Sequence, residues 1–71
     1  MFKVITWNVN SIKVRIPHLT ELIAKYDPDV ILLQEIKCET EKFPEDELSH
    51  LPYNIYANGQ KSYNGVAILS K

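Results

Sequence analysis

At 71 residues the chain is short for a domain, and eight Lys and Arg against nine Asp and Glu leave a formal charge of −1. That balance excludes a global positive field for holding nucleic acid, so any phosphate contact must come from a local constellation. A composition 45% apolar and 24% charged excludes disorder, and the single cysteine, Cys38, excludes an internal disulfide framework.

The opening run "MFKVITWNVN" has no basic segment leading into a hydrophobic block, and no apolar run approaches the roughly 18 to 20 residues of a membrane span. A soluble, cytoplasmic chain is the expectation. Residues 2–9, "FKVITWNV", are β-branched and aromatic with no helix breaker, which predicts a strand ending in polar Asn8. "NSIKVR" then reads as a loop carrying Lys13 and Arg15, and Pro17 as the first-turn residue of a helix.

From Pro17 onward Leu19, Leu22, Ile23 and Tyr26 recur at the spacing of one helical face. "DPD" at 27–29 stops that helix, and "VILLQ" at 30–34 follows as a strand that delivers Glu35 at its end. Strand, helix, strand with short connections implies a crossover, so that the two strands run parallel or share one sheet. "PEDELSHL" predicts a short helix near 44–50, its acids suiting the positive end of the helix dipole. "YNIYAN" and "NGVAILSK" predict two further strands joined as a hairpin. The expected order is β-α-β-α-β-β, and ending on a strand leaves open sheet edges, as at the start of something larger.

Asn8 and Glu35 would stand at the carboxyl ends of neighbouring parallel strands, where loops build ligand sites. A carboxylate beside an amide suits a hard, oxygen-seeking cation such as magnesium. The plainer alternative is a solvated Glu35 or a Glu35 paired with Lys37, the commoner situation of a lone glutamate at a strand end. Trp7, Phe2, Phe43 and the tyrosines other than Tyr63 read as core or half-buried packing, His18 and His50 as surface, and Cys38 as inert.

"VITWNVNSIKVR", "PDVILLQEIK" and "YNGVAILSK", in this order and spacing, resemble the amino-terminal part of exonuclease III-type abasic-site endonucleases, within the endonuclease/exonuclease/phosphatase superfamily. The resemblance covers essentially the whole chain. It implies an α+β fold: the incomplete amino-terminal portion (residues 1–71) of a four-layer α/β/β/α sandwich in which a second sheet covers the first.

The resemblance also assigns roles. Glu35 would be a direct ligand of magnesium, with manganese as a substitute, and Asn8 would orient the metal site and the nucleophile. Asn10 is a second candidate near the metal, and Lys37 would orient the carboxylate. Lys13, Tyr63, Asn64 and Gly65 would contact the DNA backbone, positioning the duplex without reading its sequence. Two residues depart from the family pattern: Ser11 stands where Gly is usual, and Ile36 where Thr is usual.

The implied activity is magnesium-dependent hydrolysis of phosphodiesters in double-stranded DNA at abasic sites or 3′ ends, for DNA repair. The family's catalytic base and phosphate-gripping pair come from segments beyond Lys71, so the chain alone is expected to be inactive, its missing carboxy-terminal segment expected from a longer form of the protein or from a separate chain. The alternatives are a related phosphoesterase acting on a non-DNA substrate and a non-catalytic remnant or interaction module.

Overall fold

In the computed structural model, which describes residues 2–60 and 64–71, the chain builds a single sheet and packs its helices and connecting segments against one face of it. Strand β1, Val4–Asn8, leads into helix α1, Ile12–Tyr26, and then into strand β2, Val30–Gln34. A 3-10 turn at Thr40–Lys42 and helix α2, Glu45–Leu48, precede strands β3, Asn54–Asn58, and β4, Val66–Ser70. The fold is α+β, in the expected order of elements.

The sheet runs β1-β2-β4-β3. β1 and β2 are parallel, while β4 lies antiparallel to both β2 and β3. The closing hairpin thus inserts its second strand beside β2 and leaves β3 at the edge. β2 becomes an interior strand, which accounts for its unbroken aliphatic run.

Successive strand side chains alternate between faces. On the inner face stand Ile5, Trp7, Ile31, Leu33, Ile55, Ala57, Ala67 and Leu69, every one apolar. Val9, Ile12, Leu19 and Ile23 from the first crossover, and Ile36, Cys38, Phe43 and Leu48 from the segment after β2, join them in one core. Each fully buried aliphatic contributes roughly 1.5–3 kcal/mol relative to exposure. Among the described residues no polar or charged residue is buried.

Helix α1 begins at Ile12, earlier than Pro17, and Pro17 lies inside it. Lys13 and Arg15 therefore ride on the first turns of a helix, not on a loop. A proline at this depth forfeits the bond its missing N–H would give to the Lys13 carbonyl. The early start is held from outside the helix: the Ser11 and Ile12 N–H groups donate to the carbonyls of Glu35 (2.9 Å) and Ile36 (3.0 Å). These donors have no partner within a helix, and the segment after β2 satisfies them. Arg15 adds a bond from Nε to the Val9 carbonyl at 3.1 Å.

At the other end, Asp27 takes a left-handed conformation (φ 45°) and its N–H donates to the Ile23 carbonyl, closing the helix before Pro28. Asp29 accepts from the Lys3 N–H through Oδ2 at 2.7 Å, Lys71 pairs with Asp27, and the Tyr53 hydroxyl donates to the Pro28 carbonyl. This clasp ties β1, β4 and the start of β3 to the turn that feeds β2. The Lys71 hydrogen bond holds the Asp27 carboxyl below its ordinary range, and the same bond pushes Lys71 up. Burial pushes the Tyr53 phenol up.

Several side chains expected to pack do not. Phe2 is 71% exposed, and Tyr26 and Tyr56 also face solvent. Phe2 precedes the first strand, Tyr26 ends its helix on the outer side, and Tyr56 lies on the outer face of the sheet. Trp7 and Tyr53 are half-buried, Phe43 and Cys38 are buried, and His18 and His50 are exposed. No helix among the described residues is long and apolar enough to cross a membrane.

Candidate functional site

Asn8 and Gln34 are register partners in the last row of the parallel pair, so the chain leaves both strands at one edge of the sheet. Val66, the first residue of β4, and Asn58, the last of β3, complete that row. The edge is a meeting point of four chain segments, and the topology alone brings it about.

Glu35 follows Gln34 directly and carries the fixed geometry one residue past the strand. The Asn8 side-chain amide donates to Glu35 Oε2, while Asn8 Oδ1 accepts the Asn10 N–H at 3.1 Å. With its oxygen held by a backbone donor, the Asn8 amide presents its nitrogen to the carboxylate. Lys37 Nζ donates to Asn10 Oδ1 and stands 3.9 Å from Glu35 Oε1. The four side chains therefore form one linked set, and the Lys37 pairing expected of a plain surface glutamate is present within it.

The backbone beneath this set is unusual. Of the six described non-glycine residues with positive φ, five lie at this edge: Asn10 (48°), Ser11 (88°), Glu35 (53°), Lys37 (55°) and Asn64 (59°). Each such residue opposes an L-residue's steric preference by roughly 1–2 kcal/mol. Clusters of this kind persist only where surrounding contacts over-determine them, and they gather at functional sites.

Those contacts come from both sides. The carbonyls of Glu35 and Ile36 are taken by the first turn of α1, while the Ile36 and Lys37 N–H groups donate to the carbonyls of Gly65 (3.3 Å) and Asn64 (2.9 Å). Ile36 is wholly buried, and it anchors the loop while Glu35 and Lys37 stay partly exposed. Gly65 has φ +88°, and a Cβ there would come 2.7 Å from Ile36 Cγ1, so the glycine is what allows the hairpin end to approach.

Lys13, exposed in the first turn of α1, and Asn64 and Gly65, beside Lys37, stand around the same edge. Tyr63 lies outside the described residues. Among the described residues there is no group of three or more His, Cys, Asp or Glu that could hold a metal; Glu35 supplies the carboxylate of the set, with amides around it. The buried Cys38 thiol is pushed up by desolvation, which suits an inert packing role.

Sequence reasoning missed Gln34 and Thr6, whose side chains bond across the strands (Nε2 to Oγ1, 2.8 Å) in the outer face beside Asn8. Their alternation with the inner apolar residues was the available signal. It also missed that the Asn10 oxygen faces the Lys37 ammonium, a contact no spacing discloses.

This is an α+β chain with a polar, backbone-strained cluster at the carboxyl edge of a parallel strand pair. Its residues 5–71 match the model of the Endonuclease/Exonuclease/phosphatase family, and the chain belongs to that family. It is 45% identical over 69 residues to exodeoxyribonuclease III of Haemophilus influenzae, covering 97% of this chain and 26% of that protein.

Two solved structures superpose with a TM-score of 0.93. One is a 3′ phosphatase from Neisseria bound to product DNA hairpin (46% identity, 99% of this chain, 27% of that one). The other is an AP endonuclease from Archaeoglobus fulgidus (40% identity, 99% and 27%). The chain thus spans about a quarter of the length of the relatives it matches.

Proposed function

We propose that this chain is the metal-holding portion of a DNA-repair nuclease that hydrolyses phosphodiesters at abasic sites or 3′ ends. The observation that carries the reading is the Glu35 carboxylate, held on left-handed backbone and oriented by the Asn8 amide at the sheet edge. The donor set fits magnesium: a carboxylate and amide oxygens, all hard donors, with neither imidazole nor thiolate in the cluster.

Glu35 would be the direct ligand. When bound, the cation would neutralise charge developing on the phosphate and the leaving oxygen. Asn8 fixes the rotation of the carboxylate, so no freedom is lost when a ligand arrives. Lys13 and the Asn64–Gly65 turn flank the edge where a DNA backbone would lie, and Tyr63 is proposed to join them. Phosphate contacts of this sort position a duplex without reading it.

Residues 1–71 are then part of a larger domain, and the groups that activate water and grip the phosphate lie in the remainder of it. Catalysis needs groups on both sides of the phosphate, so the chain by itself is inactive. In the linked set of Asn8, Asn10, Glu35 and Lys37 the carboxylate is that of Glu35, which is assigned to the cation, so the base is assigned to the remainder of the domain.

The test is magnesium-dependent cleavage of a duplex with one abasic site, by the chain alone and mixed with the complementary carboxy-terminal part of a family enzyme. We expect none from the chain alone, cleavage from the mixture, and at least a 100-fold loss with Glu35→Gln, the order expected for removing a preorganised charge stabiliser. Undiminished cleavage by a Glu35→Gln mixture would remove Glu35 from the mechanism.

A further inference from the structure

Lys37 is held against the oxygens that the proposed function assigns to a cation. Its ammonium donates to Asn10 Oδ1 and stands 3.9 Å from Glu35 Oε1. The side chain is 32% exposed, so most of it is covered, whereas the Glu35 side chain is 44% exposed. The set is electrically balanced as it stands, with one carboxylate and one ammonium.

The backbone of Lys37 cannot follow its side chain. It is pinned in the left-handed region by its own N–H bond to the Asn64 carbonyl, next to wholly buried Ile36. Only the four-carbon stem can turn. A divalent cation on Glu35 would share its oxygens with a strongly hydrated point charge of the same sign, and at such distances like charges oppose one another strongly.

We propose that Lys37 is an internal counter-ion that occupies the cation's place at Glu35 and Asn10, and that divalent-cation binding requires its ammonium to swing out. The side chain keeps the strained carboxylate neutralised and correctly turned before the metal arrives, at the expense of metal affinity. This inference rests on the reading of Glu35 as a metal ligand, and its test separates the two.

The experiment is titration of the full 71-residue chain with Mn²⁺, followed by water-proton relaxation, for the unaltered chain and for Lys37→Met, Lys37→Gln and Glu35→Gln. Both Lys37 variants should bind about tenfold more tightly than the unaltered chain, and Glu35→Gln should lose saturable binding. In the unaltered chain, Mg²⁺ should also shift the NMR signals of the Asn10 side-chain amide as its oxygen is released; this reading needs no variant to fold.

Equal or weaker binding by Lys37→Met and Lys37→Gln, or an Asn10 amide unmoved at saturating Mg²⁺, overturns the inference while Glu35 remains a ligand. Binding that survives Glu35→Gln instead overturns the metal reading, whatever Lys37 does.

Discussion

Ser11 and Gly65 occupy the same kind of conformation, each with φ of 88°, yet only one of them is a glycine. A serine is a good helix N-cap residue, but here its side chain makes no capping bond, because this backbone is not the extended one a cap uses. Ser11→Gly should relieve roughly 1–2 kcal/mol of steric opposition and lose about 0.4–1 kcal/mol to a freer unfolded chain. The expected outcome is a net gain of up to about 1.5 kcal/mol in urea unfolding. Gly65→Ala runs the other way: its Cβ would meet Ile36, which is buried and cannot retreat, so a loss of roughly 1–3 kcal/mol is expected in the same measurement. The motif comparison singled out Ser11 as a departure from the family, but not what it costs, since a φ angle is set by the bonds from Ser11 and Ile12 to a distant loop.

At the scale of elements, β2 was legible to the residue because four aliphatics between a Pro-containing turn and a polar end admit few other readings. The start of α1 was not. Pro17 has the shape of a first-turn residue, and the bonds that let the helix begin at Ile12 come from residues 35 and 36, far along the chain. The far end of α1 makes a pH prediction. Asp27 has a lowered pKa, so its contribution is present above the ordinary carboxylate value, near 4, and is lost as pH falls through the lower folded value. Lys71 is raised, so its share is present below the ordinary lysine value, near 10.4, and is lost as pH rises through the higher folded one. The stability difference between the chain and Asp27→Asn should therefore be flat from about pH 5 to 9 and vanish beyond both ends. Both groups are exposed, so 1 M NaCl should shrink it as well.

Across the whole molecule, the inner face of the sheet is covered by α1 and the segment after β2, and the outer face is not. The outer face consists of Val4, Thr6, Asn8, Val30, Leu32, Gln34, Asn54, Tyr56, Asn58, Val66, Ile68 and Ser70, without a single charge in a chain that is 24% charged. Val4, Tyr56, Val66 and Ile68 are all largely exposed. Contiguous apolar surface of this kind associates. Expressed alone, the chain should sediment as reversible oligomers at tens of micromolar, and Ile68→Lys with Tyr56→Glu should return it to a monomer with unchanged far-ultraviolet circular dichroism. Association unaffected by those changes would place the contact elsewhere. The alternation that makes this face was readable in the sequence, but its lack of charge became visible only once the β1-β2-β4-β3 order put the four strands side by side.

The two bonds from the start of α1 to the carbonyls of Glu35 and Ile36 also make the helix and the site one cooperative unit. Ser11 and Ile12 cannot expose their amide protons to solvent unless the loop bearing Glu35 lets go of them. Their rate of exchange with deuterium is thus a clock for the opening of the site, readable without metal, substrate or turnover.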